Sequence, residues 1–201
     1  MPPEEKSNEI SRRAVIASAA IVPVAALTAA AQQSTAPSVL SAAQLRTLEA
    51  FVDRIIPKDE LGPGAAESGV ATYIHRSLGD YLAGEKAAFV DGLEATDAYA
   101  RRSQGKAFAD LTADQQDAVL TAMDDGKAEG FENAKGFFGR ARRLTLEGMF
   151  GDPYYGGNKN FAGWDLIRYP GPRLATSPDD QKLGVAIKPV HTSAYGANHG
   201  H

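Results

Sequence analysis

An all-α fold is what the chain's own pattern predicts: a small domain of about five helices, followed by a long irregular arm rich in glycine, proline and aromatic residues. Apolar residues recur every three to four positions through residues 41–150, and two Ser/Thr-x-x-Gln patterns open such runs. No alternating segment is long enough for a convincing strand, and neither an internal repeat nor a strand-turn-helix nucleotide fingerprint is present. With 201 residues, 43% of them hydrophobic, the chain can bury one sizeable core.

The elements follow in order. Ser41 with Gln44 predicts the first helix, whose face carries Leu45, Leu48, Val52 and Ile55, widened by Phe51 and Ile56, until Pro57 stops it. A turn-rich connection, "PKDELGPGAAESG", leads to a second helix in which Val70, Tyr73, Ile74, Leu78, Tyr81 and Leu82 share helical spacing. The third is expected from about Glu85 to Arg102, with a weaker face of Phe89, Leu93, Thr96 and Ala100. Thr112 and Gln115 open the fourth, carrying Val119, Leu120 and Met123. A fifth is expected from near Asn133 to Met149, burying Phe137, Phe138, Ala141, Leu144 and Thr145.

After Gly151 the pattern stops. In "FGDPYYGGNKNFAGWDLIRYPGPR", Pro153, Gly156, Gly157, Gly163, Pro170 and Pro172 interrupt helical geometry at short intervals. Tyr154, Tyr155, Phe161, Trp164, Ile167 and Tyr169 are nevertheless large enough to need burial, on the chain itself or on another. An arm of about fifty residues exceeds the usual length of a loop inside a compact domain, so residues 151–201 read as a docking arm and tail.

The other end is different in kind. Arg12 and Arg13 directly precede an uncharged, alanine-rich run from Ala14 to Ala31 that ends in small residues, the layout of an export signal of the twin-arginine type. Val15, Ile16 and Ala17 depart from that signal's usual residues, and Glu4, Glu5 and Glu9 make the leading segment less basic than usual. The expected organisation is thus a signal at 1–31, a linker at 32–40, a helical domain at 41–150 and the arm at 151–201, in a periplasmic protein.

Composition narrows the chemistry. A net charge of −4 with interspersed signs gives no footprint for nucleic acid. The absence of cysteine excludes disulfides, thiolate metal or cluster ligation, covalent c-type haem and cysteine nucleophiles. His191, His199 and His201 lie in a tail of small polar residues where a metal could gather, although a solvated or partner-bound tail is the simpler reading. His75, near Tyr73 and Asp80, is a boundary histidine before it is a proton-transfer group. Asp124, Asp125 and Glu129 lack the calcium-loop ligand order. No catalytic, cofactor-binding or metal-binding set is expected in this chain.

The stretches "LRTLEAFVDRIIPKDELGPGAAESGVATYIHRSL" and "GMFGDPYYGGNKNFAGWDLIRYPGP" resemble the gluconate 2-dehydrogenase subunit 3 family, with the likeness running from about Leu45 to Pro172. The resemblance implies a non-catalytic small subunit of a dehydrogenase complex. Its partner would be a large FAD-containing subunit that oxidises a sugar or sugar acid, commonly with a c-type cytochrome. The small subunit would support folding of the flavoprotein and its export. On this reading Gly151, Asp152, Pro153, Tyr154, Tyr155, Gly156, Gly157, Asn158, Trp164, Asp165 and Tyr169 form the docking element. The competing expectation is a self-contained periplasmic enzyme or small-ligand binder using the aromatic arm and His75.

Overall fold

The computed structural model describes residues 38–173 and 175–196. The signal expected at residues 1–31, with Arg12 and Arg13, lies outside them, as does most of the linker.

Six α-helices and no strand are found among the described residues: α1 Ala42–Ile55, α2 Val70–Gly79, α3 Lys86–Gln104, α4 Ala113–Asp124, α5 Ala134–Phe150 and α6 Ala162–Leu166. Both capping boxes form as the sequence predicts. Ser41 Oγ accepts from the Gln44 amide while Gln44 returns a bond to the Ser41 N–H, and Thr112 and Gln115 repeat the arrangement at α4. The first five helices fall where periodicity places them. The structure differs at the end of α2: Tyr81 and Leu82 lie beyond Gly79, because the Leu82 amide turns back to the Ser77 carbonyl. Leu82 is still buried, whereas Tyr81 stays exposed with its hydroxyl 2.7 Å from that of Tyr73.

The core is built around phenylalanine. Phe51 of α1 packs against Phe108, Phe137 and Phe138, and Phe137 also meets Phe89 edge-on at 5.3 Å. Gly92 of α3 faces the Phe137 ring so closely that a Cβ there would lie 2.2 Å from it, so glycine sets the α3–α5 spacing. Three buried hydroxyls are satisfied within their own helices, Thr96 donating to the Gly92 carbonyl, Thr145 to Ala141 and Ser77 to Tyr73, while the buried Thr47 hydroxyl of α1 donates across to Asp97 of α3. Arg54 grips Asp117 with two bonds of 2.7 Å, joining α1 to α4. That bond holds the Asp117 carboxyl below its ordinary range.

The sixth helix falls in the segment expected to be irregular. It has five residues, sits between glycine and proline interruptions, and follows two 3₁₀ turns, Pro153–Tyr155 and Lys159–Phe161. Its position is set by α5, against which the arm folds back.

Candidate functional site: the arm folded on α5

The arm begins where α5 ends. The Asp152 carboxylate accepts from the Tyr154 amide at 2.9 Å, and Pro153 supplies a preset φ to the 3₁₀ turn that follows. Gly157 then passes so close to α5 that a Cβ would stand 2.1 Å from the Gly148 carbonyl oxygen. Gly163 is closer still, with a Cβ position 1.8 Å from the Met149 oxygen. At these two positions glycine is required by space.

Asn158 joins the two approaches. It is fully buried and left-handed, with φ 47°, a region asparagine tolerates better than most residues. Its amide donates to the Gly151 carbonyl at 2.8 Å, and its carbonyl accepts from the Gly163 N–H at 2.8 Å. Trp164 completes the seal. It is 5% exposed, and its indole N–H donates to the Phe150 carbonyl, one of the last carbonyls of α5. Phe161 and Tyr169 flank the indole at 5.4 and 4.9 Å. The Lys159 amide bonds the Ser68 carbonyl, tying the arm to the loop before α2 as well.

The expected docking residues therefore separate into two groups. Gly157, Asn158 and Trp164 are buried in the chain's own body, and Gly151, Asp152, Pro153, Tyr154 and Gly156 are half-buried beside it. Tyr155, Asp165 and Tyr169 are exposed, and so is Ile167, at 53%.

Sequence reasoning missed the returning tail. Tyr195 packs on Tyr154 at 4.7 Å, and its hydroxyl accepts from that of Tyr155 at 2.9 Å, a bond that pushes the Tyr155 phenol above its ordinary pKa. His191 stacks on Phe161 with an interplanar angle of 6° and contacts the Asp165 carboxylate at 2.7 Å. The Ala194 amide donates to the second oxygen of Asp152. The aromatic Tyr195 within "HTSAY" was the available signal. His199 and His201 lie outside the described residues.

Two concavities flank the arm. One, of about 460 Å³, has Asp165, Arg168, Tyr169 and Pro170 on one wall and Val185, Ala186, Ile187 and Pro189 on the other. The second, about 530 Å³, runs along α5 between Tyr73, Glu147, Gly148 and Tyr155. In that groove the Tyr73 hydroxyl is within bonding distance of Tyr81 and Glu147, and burial raises its pKa, the Tyr81 bond adding to the effect. His75 is half-buried on α2. Among the described residues no three His, Cys, Asp or Glu side chains converge to hold a metal ion, and no helix is long and apolar enough to cross a membrane.

Residues 42–171 match the family described as gluconate 2-dehydrogenase subunit 3, a span that includes the helical body and the whole buried part of the arm. The chain belongs to this family. Membership makes it a subunit of a dehydrogenase complex of the gluconate 2-dehydrogenase type. Comparison with curated proteins and with solved structures gives no match. In this subunit 3 chain the family region closes at Gly171, where a Cβ would meet the Val190 carbonyl oxygen at 2.1 Å, so the tail crosses the arm at the family region's edge.

Proposed function

We propose that this chain is the non-catalytic small subunit of a flavin-dependent sugar or sugar-acid dehydrogenase, which supports maturation of the catalytic flavoprotein and takes it to the periplasm by twin-arginine export. The FAD resides in the large subunit, and a c-type cytochrome is the natural third member. The observation that carries this reading is the arm itself. A fully packed base of Asn158 and Trp164 holds Ile167 and Tyr169 at the surface, 53% and 39% exposed. Apolar groups presented on a rigid base suit a protein partner, because little ordering entropy is lost when they dock.

Ile167→Glu tests the docking face. The side chain is exposed, so the isolated chain should keep its melting temperature. A carboxylate carried into a desolvated contact should weaken binding to the flavoprotein subunit of the native complex by about 2 kcal/mol or more, roughly thirtyfold. Unchanged affinity would remove this face from the interface.

Export is tested by replacing Arg12 and Arg13 together with lysine, which preserves charge but not the paired guanidinium signal. Cell fractionation should find this chain retained in the cytoplasm, together with a flavoprotein subunit that has no signal of its own. Normal periplasmic dehydrogenase activity in that variant would sink shared export.

A further inference from the structure

We propose that residues 188–196 form a detachable strap over the part of the arm that adjoins the exposed Ile167 and Tyr169, and that the flavoprotein subunit extends its contact there by taking the strap's place when the complex assembles. This rests on the docking role proposed above and adds its regulation.

The strap touches the arm through specific groups. The Val190 amide donates to the Pro170 carbonyl at 2.9 Å, Arg173 bonds the Lys188 carbonyl, His191 meets Asp165, Ala194 meets Asp152, and Tyr195 joins Tyr154 and Tyr155. Yet no described residue from 175 to 196 is buried. The strap therefore has orientation without burial. Surface hydrogen bonds and exposed ion pairs contribute little, and ordering a stretch of backbone opposes them, so the closed and open forms lie close in free energy.

What lies beneath is built to be met. Asn160 and Phe161 are consecutive non-glycine residues in left-handed conformation, at φ 58° and 61°. Such conformations are costly for an aromatic residue and persist where the surrounding structure enforces them, commonly at functional surfaces. Here the strain places the Phe161 ring between the buried Trp164 and the strap's His191. Tyr154 and Tyr155, edge to face at 5.1 Å, form a second aromatic step under Tyr195. Opening the strap would uncover the half-buried Phe161, Tyr154 and Asp152 at once, beside Tyr155 and Asp165, which are exposed already. That is a strip of aromatic rings with two acidic ends, suited to a protein surface carrying apolar pockets and basic side chains.

The full-length double variant His191→Ala/Tyr195→Ala tests this, since both side chains act on the arm only from the strap. In the isolated chain, amide exchange at Val190 and Ala194 should accelerate. Affinity for the flavoprotein subunit from the native complex should rise, about tenfold if the strap is closed nine parts in ten, because a partner binding only the open form is weakened by the closed fraction. Weaker or unchanged binding by a variant with accelerated exchange overturns the strap and makes the tail part of the interface or a bystander. Unchanged exchange overturns it by showing that these side chains hold nothing. If neither wild type nor variant binds, the docking role itself fails, and the strap's regulation of it fails too.

Discussion

Gly163→Ala is expected to lower the melting temperature of the isolated chain by about 10 °C. The added Cβ would lie 1.8 Å from the Met149 carbonyl oxygen, a backbone atom at the end of α5 that cannot rotate aside. Relief requires α6 to lift away, which breaks the Gly163 amide bond to Asn158 and the Trp164 indole bond to Phe150. Leaving one buried polar partner unsatisfied costs about 1–3 kcal/mol, and partial loss of the indole's burial adds to it. A total of about 3 kcal/mol corresponds to roughly 10 °C in a domain of this size. Gly139→Ala is the control. It lies in the middle of α5 with open space around its Cβ position, so alanine should hold or raise stability. A thermal scan in which both variants melt with the wild type would refute the tight approach of arm and helix.

Trp164→Ala should cost about 3–5 kcal/mol in the isolated chain, as expected for removal of a buried tryptophan. The indole is 5% exposed, touches Phe161 and Tyr169, and caps the Phe150 carbonyl. Trp164→Phe separates these contributions: it keeps an aromatic ring in the site but leaves the Phe150 carbonyl without its donor, at about 1–3 kcal/mol. Denaturant unfolding of the three proteins should therefore rank wild type above phenylalanine above alanine. Loss of partner affinity in Trp164→Ala with unchanged stability would mean that the indole faces the partner and not α5.

Much of the helical body was legible because its signals are local. Ser41 and Gln44 lie three positions apart, and each needs only the other's backbone to form the cap. The same holds for Thr112 and Gln115. The end of α2 was less legible. Tyr81 and Leu82 continue the apolar period, and only the return of the Leu82 amide to Ser77 ends the helix sooner. The arm's glycines announced close approach without naming the surface approached. Gly157 and Gly163 are needed because of two particular carbonyls, Gly148 and Met149, and no local pattern identifies an acceptor of that kind. For the same reason the sequence counted Trp164 with the docking element, and no local pattern told that its indole would reach the Phe150 carbonyl of its own chain. The pairings of His191 with Asp165 and of Tyr195 with Tyr155 span 26 and 40 positions, beyond any sequence period.

The fold-back of the arm also bears on the order in which the protein takes shape during synthesis. Trp164 meets Phe150 across only 14 positions, so α5 and the arm close a short loop that forms quickly and needs little of the preceding chain. The Lys159–Ser68 bond, spanning most of the domain, then fastens this finished hairpin-like unit to the loop before α2. A nascent chain can thus complete the C-terminal end of its core as soon as residues to about 170 have left the ribosome, with the surface-held tail added last.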